Sequence, residues 1–333
     1  MSKKLFITDK ELNLNFSSPA KNLSEYLDRF YNQQLKQWKL LSQNAAALEK
    51  VELKHFSING FEVIAQYNPQ RIKSTSANVD PAFIKTRKCF LCKDNLPKEQ
   101  RGLLFENGFV ALCNPYPIVP FHFTLPHLEH KDQEIKSSIG SMLNLSRFVK
   151  ESYLVFYNGP QCGASAPDHL HFQILKLHSL PLIKNLLAEK YSYNRIVEHN
   201  NYKVEFYTHS PVKYFLVKST NINDMLLIWE NILERLKQKG EEEPLVNLVA
   251  YFHNNCYHLV GFPRSAHRPN QFFLQEEKKI LISPASIDMS GLMVIPRKED
   301  FFKLSEDLLE NIYNQVSVNE DFLNGLADKL TTS

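Results

Sequence analysis

The sequence predicts an α+β fold of two similar halves, each an antiparallel sheet with flanking helices, produced by internal duplication. Three observations predict it. Short stretches of strand character recur in hairpin-like order with one long helical stretch between them, which favours antiparallel sheet over a parallel dinucleotide-binding fold. The same order of elements returns in outline beyond residue 192, although the residues themselves do not repeat. Neither GxGxxG nor GxxxxGK[ST] is present to argue for a parallel nucleotide fold. A length of 333 residues suits two halves, since one average domain takes roughly 100–200.

Residues 1–50 are expected to be an N-terminal helical extension. Leu23, Tyr26, Leu27, Phe30, Tyr31, Leu35, Trp38 and Leu41 recur at spacings of three and four, which predicts one amphipathic helix from Asn22 to Leu48 with Ser24 as its candidate cap. The first half, 51–192, opens on a hairpin: Val51–Ile58 and Phe61–Tyr67 alternate about Asn59-Gly60, a two-residue turn signal. Residues 68–87 carry Pro69, Ser74, Thr75, Ser76 and Pro81 without a period and read as a long loop whose Arg71, Lys73 and Arg87 could meet phosphate. Strands are expected at Phe109–Cys113 and His122–Leu125, a helix from Gln133 to Tyr153, strands at Val155–Asn158 and His169–Leu177, and a helix from Pro181 to Tyr191. The second half, 193–333, repeats this with strands at Tyr202–Thr208 and Val212–Lys218 and a helix from Ile222 to Lys239. A hairpin follows, Val246–Phe252 and Tyr257–Phe262 about Asn254-Asn255, then a strand at Leu292–Ile295 and a helix from Leu304 to Val316. The charged stretch Lys237–Glu243 reads as a solvated turn, and Trp38 and Trp229 as core residues on apolar helix faces.

Composition excludes several classes. With 43% hydrophobic and 23% charged residues the chain is neither disordered nor collagenous nor a coiled coil. Lys and Arg number 39 against 36 Asp and Glu, a net charge of +3, too balanced for nucleic acid to be an expected partner. The longest apolar runs, such as Leu245–Phe252, are interrupted by Asn or Tyr and fall far short of the roughly 20 residues that span a bilayer, so no membrane partner is expected. Asp and Glu stand where a secretory apolar region would lie, which predicts a cytoplasmic protein. Five cysteines are too few and too odd for a disulfide framework, and leave Cys89 and Cys92 as a CxxC pair, which suits the two thiolates of a tetrahedral zinc site.

The densest reactive cluster runs from Asn158 through the small-residue loop Gly159–Pro167 to Asp168-His169-Leu170-His171-Phe172-Gln173. A strand would turn His169, His171 and Gln173 to one face, with Leu170 and Phe172 toward the core. The loop, with Gly163, Ala164 and Ser165, offers backbone N–H groups and a hydroxyl to an anion. A neutral imidazole beside an amide donor can attack a phosphoanhydride and hold the oxygen where charge develops. In the second half, Arg264 and Arg268 within Pro263–Pro269 suit a phosphate or a sugar phosphate. His55, His178, His199, His209, His253 and His258 lack any partner pattern and read as structural or surface residues.

His169-Leu170-His171-Phe172-Gln173 resembles the HxHxQ motif of the transferase branch of the histidine-triad superfamily, which holds the galactose-1-phosphate uridylyltransferases, the diadenosine tetraphosphate phosphorylases and the GDP-hexose phosphorylases. With Ala164-Ser165 ahead of it, the string is most similar to the GDP-hexose phosphorylases. Asn114-Pro115-Tyr116-Pro117, His122 and Pro126-His127 resemble the nucleoside-binding strand pair, and Ser283-Pro284-Ala285 through Ser290-Gly291 to Arg297–Asp300 resemble the C-terminal signature of the same branch. The resemblance implies a HIT-like fold and a nucleotidyltransferase or phosphorylase that acts on a nucleoside diphosphate sugar through a nucleotidyl-histidine, with a dinucleoside polyphosphate phosphorylase or a non-catalytic nucleotide-binding protein as rivals. It makes His171 the nucleophile and Gln173 the residue on the phosphoryl oxygen. Asn158 and Ser165 steady the phosphates, and Asn114 belongs to the nucleoside site. It further implies a structural zinc ion on Cys89, Cys92, His127 and His169, with His130 an alternative to His127, and no organic cofactor. Partners would be the nucleotide sugar or dinucleotide and phosphate, and both a monomer and a homodimer are consistent with it.

Overall fold

Asn59 and Gly60 both take positive φ, +49° and +83°, the left-handed conformation that a two-residue hairpin turn needs and that glycine adopts freely. β1 (Glu52–Ile58) and β2 (Phe61–Tyr67) therefore pair in the predicted register, from Glu52↔Tyr67 to Ile58↔Phe61. The computed structural model describes residues 5–8, 12, 23–105, 108–199, 201–237, 243–275 and 277–331, without the side chains of Lys73 and Pro81. Asn22, most of the N-terminal stretch behind the cytoplasmic expectation, and residues 238–242 of the expected solvated turn lie outside the described residues.

Ten strands make one antiparallel sheet: β3 (Gly102–Leu104), β4 (Val110–Cys113), β5 (Phe123–Pro126), β6 (Tyr153–Asn158), β7 (His171–Lys176), β8 (Arg195–Glu198), β9 (Lys203–Tyr207), β10 (Tyr214–Ser219), β11 (Val246–His253) and β12 (Cys256–Pro263). Their order is β3-β4-β5-β7-β6-β11-β12-β10-β9-β8. Counted inward from either edge, the two halves are wound alike, 3-4-5-7-6 and 8-9-10-12-11, which is the pattern a duplicated α+β unit gives. They join where β6 pairs with β11, from Val155↔Ala250 to Asn158↔Asn247. The sheets of the two halves are thus continuous. A last strand, β13 (Leu292–Ile295), runs parallel to β2 and completes a second, three-stranded sheet with β1.

Alternation along β6 divides the core. Tyr153, Val155 and Tyr157 face one cluster, which receives Leu27 and Phe30 of Leu23–Gln37, Met142 of Ile139–Phe148, Trp229 of Ile222–Leu236 and Leu326 of Glu320–Thr331. Leu154 and Phe156 face the other, with Val63 of β2, Ile183 of Pro181–Leu187, Ile287 of Ser286–Met289 and Ile312 of Glu306–Val316. Each fully buried Leu, Ile or Phe contributes about 1.5–3 kcal/mol, so both faces of the central strands are fixed by packing. Trp38 and Trp229 are buried as expected. No helix among the described residues is long and apolar enough to cross a membrane.

Several expected elements differ. The first helix breaks at Trp38 (φ −121°, ψ 97°), which leaves the helical range as its indole enters the core, giving Leu23–Gln37 and Lys39–Ala47. Ser24 lies inside the first of these and donates to the carbonyl of Val149 at 3.1 Å instead of capping. The expected loop 68–87 holds short helical turns: Asn68 Oδ1 accepts from the N–H of Gln70 before Pro69–Arg71 and Ile72–Thr75, and Asp80 accepts from Ala82 and Phe83 before Pro81–Thr86, side-chain caps followed by proline at the first helical position. The helix expected from Gln133 is confined to Ile139–Phe148. Glu243 is half-buried, its carboxylate accepting from Ile135 N–H and Tyr157 OH, and desolvation raises it to about 7.

Candidate active site

β7 begins at His171, with its neighbours set by pairing: Pro126↔His171 and Thr124↔Gln173 on β5, Phe156↔Gln173 on β6. Phe172 points into the core, as alternation predicts, while His171 and Gln173 line a cavity of about 520 Å³ together with Thr124, Phe156, Asn158, Gly163 and Ser165. His169 precedes the strand and turns away from this cavity toward Cys89.

His171 is held on three sides. Its N–H donates to Gln133 Oε1 at 2.8 Å, and Gln133 Nε2 in turn donates to the carbonyls of His171 and Asn158 at 3.1 and 2.9 Å. Its Nδ1 lies 2.8 Å from the His169 carbonyl oxygen, an acceptor, so Nδ1 carries the proton and the Nε2 lone pair is left for the cavity. Burial lowers the imidazole to about 4, so it is neutral at neutral pH.

Gln173 is oriented by His122, whose sequence position alone gave it no role beyond the strand pair. Fully buried, His122 accepts the Ile118 N–H at Nδ1 (3.3 Å), so Nε2 bears the hydrogen and donates to Gln173 Oε1 at 2.8 Å. With its oxygen occupied, the amide turns its NH₂ toward His171's side of the cavity. Burial first, and the nearby Arg71 charge second, push His122 down to about 3. Its folded value lies below the unfolded one of about 6.5, so its contribution to stability is present above that value and is lost as pH falls toward 3. Unfolding free energies from denaturant titrations between pH 7 and pH 5 are expected to fall by up to about 1.4 kcal/mol per pH unit from this group, with a shallower slope in His122→Leu. The same variant leaves a buried amide oxygen unpaired, worth about 1–3 kcal/mol, and kcat/KM is expected to drop about tenfold to a hundredfold.

Asn158 is fixed from behind. Its Oδ1 accepts from Ser286 N–H at 2.9 Å, Ser286 Oγ at 2.7 Å and Asn247 Nδ2 at 3.1 Å, which leaves its NH₂ for the cavity. Gly163 has φ +95°, and a Cβ there would stand 2.6 Å from that of Ala285, so the small-residue loop presses directly on the second half of the chain. Ser165 is half-buried on the cavity wall. Asn114 lines the wall too, its amide bonded to Tyr116 N–H and Thr124 Oγ1.

Four residues expected at the phosphates have other partners in the structure. Ala164 N–H turns to the Gly159 carbonyl at 3.4 Å and lies outside the cavity lining, because the loop folds back on itself. Arg264 is 2% exposed and donates to the carbonyls of Val316, Pro284, Ala266 and His267 and to Asn247 Oδ1; it braces Asn247, and through it Asn158, and has no face for phosphate. Arg268 also stands outside the lining, bridging Ser283 Oγ and the Ala77 carbonyl while stacked on Phe272 at 4.1 Å. Arg87 pairs with Asp168. Arg71 does line the cavity, bonded to the Tyr116 carbonyl and Ser74 Oγ, both at 2.8 Å; burial lowers it to about 10, which leaves it charged. The side chain of Lys73 lies outside those described.

Beside this site Cys89, Cys92, His130 and His169 bring one sulfur or nitrogen each to within 4.8 Å of one another. Two thiols and two imidazoles are the donor set of a tetrahedral soft-metal centre, so the cluster can hold a metal ion. His130 supplies the nitrogen expected of His127. The His127 ring is held edge-on against Phe109, with Nδ1 accepting the Glu129 N–H at 3.1 Å and Nε2 3.4 Å from Lys131 Nζ. Its carbonyl accepts from His169 Nε2 at 2.7 Å, which aims His169 Nδ1 at the sulfurs, the outer-shell arrangement usual for a metal-binding imidazole.

Residues 30–176 match a family model described as a domain of unknown function, DUF4922, and residues 187–331 one described as a GDPGP1-like C-terminal domain. Comparison with curated proteins gave no match. Among solved structures the chain is similar to yeast Ap4A phosphorylase Apa2, at 18% identity over 85% of this chain and 94% of that one, TM-score 0.53, and to the same enzyme in complex with Ap4A, at 16% over 86% and 97%, TM-score 0.54. An ADP-glucose phosphorylase from Arabidopsis thaliana with bound ADP-glucose matches at 15% over 80% and 100%, TM-score 0.36. The C-terminal family model and the fold shared with the yeast phosphorylase agree with the resemblance of the HxHxQ strand to the transferase branch of the histidine-triad superfamily.

Proposed function

We propose that the protein is a nucleotidyl phosphorylase that works through a covalent His171 intermediate on a nucleoside diphosphate sugar. The observation that carries this is the His171 Nδ1 to His169 carbonyl bond at 2.8 Å, which commits the proton to Nδ1 and the Nε2 lone pair to the cavity. Nε2 attacks the α-phosphorus, an N–P bond forms, and the P–O bond to the sugar phosphate breaks, releasing sugar 1-phosphate. Inorganic phosphate then attacks the same phosphorus from the vacated side, the N–P bond breaks, and a nucleoside diphosphate leaves with His171 neutral again. The Nδ1 proton stays in place throughout, and the His169 carbonyl faces the positive charge that the ring carries while nucleotidylated. The amide NH₂ groups of Gln173 and Asn158 serve the non-bridging oxygens.

Charge favours a sugar over the rival tetraphosphate. Among the described side chains, Arg71 is the one Lys or Arg in the cavity lining, and a nucleoside diphosphate sugar brings about half the negative charge of a dinucleoside tetraphosphate. Release of nucleoside diphosphate from a panel of nucleotide sugars and Ap4A, each with phosphate, tests the reading; turnover of Ap4A alone would favour the rival.

The acceptor is proposed to be phosphate and not water, since hydrolases of this superfamily usually carry a third histidine where Gln173 stands. Gln173→His is expected to shift products toward nucleoside monophosphate, by at least tenfold in the monophosphate to diphosphate ratio, about 1.4 kcal/mol of transition-state preference. An unchanged ratio would contradict the role of the amide.

The metal is proposed to be a structural zinc ion on Cys89, Cys92, His130 and His169. His169 would join the two sites, since its ring meets the metal while its carbonyl holds the proton of the nucleophile.

A further inference from the structure

The sheet order fixes how a substrate lies across the floor of the cavity. From one side to the other the lining passes from Leu112 and Asn114 on and just after β4, to Thr124 on β5, His171 and Gln173 on β7, and Phe156 and Asn158 on β6. Strands are about 4.8 Å apart. The wall on the β4 side is thus about 10 Å from the nucleophile, with Leu96 packed on Leu112 and Pro97 beside it in sequence, the length and apolar character that a ribose and a base require. The portion expelled from His171 must lie on the other side, past β6. There the helix Ser286–Met289 covers β6 and β11, docked by its Ser286 onto Asn158, and presents Asp288 to the cavity.

Asp288 is a buried carboxylate with no cation within ion-pair distance among the described residues. One oxygen accepts from Val294 N–H at 3.0 Å and the other from Ala285 N–H at 2.9 Å. Capping the short helix explains those two bonds, yet each oxygen retains a lone pair. A carboxylate in this place repels phosphate and pairs with neutral hydroxyl donors. Ser74, Thr75 and Ser283 also line the cavity, and Arg71 donates to both Ser74 Oγ and the Tyr116 carbonyl.

We infer that Asp288 reads the sugar: its carboxylate accepts hydrogen bonds from hydroxyls of the departing hexosyl group, so the cavity selects a polyol phosphate as the leaving group. This rests on the proposed phosphorylase reading and adds the residue that sets its specificity.

Wild-type enzyme assayed with its best nucleotide sugar and with the 2-, 3-, 4- and 6-deoxy sugar analogues is expected to lose at least tenfold in kcat/KM for one or two positions, because a site built to bond a hydroxyl rejects the analogue that lacks it. In Asp288→Asn the same analogues should fall within threefold of the parent sugar. Indifference of the wild type to every deoxy position overturns the inference even where the variant cannot be purified. A variant that keeps the wild-type discrimination also overturns it, as does one that instead loses discrimination between guanosine and inosine nucleotides, which would place Asp288 at the base. Failure of the proposed function is distinguishable: the wild type would then turn over no nucleotide sugar at all.

Discussion

His171→Ala is expected to abolish turnover, by on the order of 10⁴-fold or more in kcat, while leaving the fold intact. In the proposed mechanism the imidazole is the covalent carrier, and the two histidines nearest to it are engaged elsewhere: His122 with Ile118 and Gln173, and His169 with the Cys89 sulfur and the His127 carbonyl. The anchoring of the β7 backbone does not depend on the ring, since Gln133 holds the N–H and carbonyl of residue 171. Circular dichroism and a thermal melt check the fold, and single-turnover release of sugar 1-phosphate checks the chemistry. Activity near wild type would remove the covalent mechanism and leave a nucleotide-binding role.

Replacing both thiols, Cys89→Ser with Cys92→Ser, is expected to cost stability before it costs any particular chemical step. Protein purified without chelators should hold about one zinc ion per chain, and the double variant none. A metal that binds only the folded chain stabilises it by about 4 kcal/mol when the free ion is a thousandfold above its Kd, and that amount is at stake here. Activity should follow in part, because a His169 freed from the metal no longer fixes the carbonyl that holds the His171 proton. Metal analysis by mass spectrometry and denaturant titrations with and without chelator measure both effects. A chain that carries no zinc and melts as the variant does would remove the metal and leave the nucleophile untouched.

The placement of His171 and Gln173 was more legible in the sequence than the geometry around them. Alternation in His169–Gln173 is local, so the sequence alone put His171 and Gln173 on one face, although it also put His169 there, which precedes the strand and turns to Cys89, and Asn59-Gly60 set the register of its hairpin through backbone conformation that few other residues take. Elements whose signals are caps and not periods were missed, as in residues 68–87, where Asn68 and Asp80 start helical turns too short to show a stripe. Residues that act across strands were missed for a different reason. His122 meets Gln173 because β5 lies beside β7, and Asp288 reaches the cavity because Ser286 docks on Asn158; neither adjacency follows from spacing along the chain. The arginines misled because charge alone does not reveal burial. Arg264 looked like a phosphate ligand and is instead consumed by four carbonyls and an amide, and His127 and His130 differ only in which way the chain after β5 turns.

The central claim is that a nucleotidyl group passes through His171. Mixing the protein with nucleotide sugars in the absence of phosphate, quenching at alkaline pH where phosphoramidates survive, and measuring intact and peptide masses tests it most directly. The expected result is a mass gain of one nucleoside monophosphate on the peptide that contains His171, discharged to nucleoside diphosphate when phosphate is added and absent in His171→Ala. Turnover with phosphate but without any such adduct, or an adduct on another residue, would contradict the account.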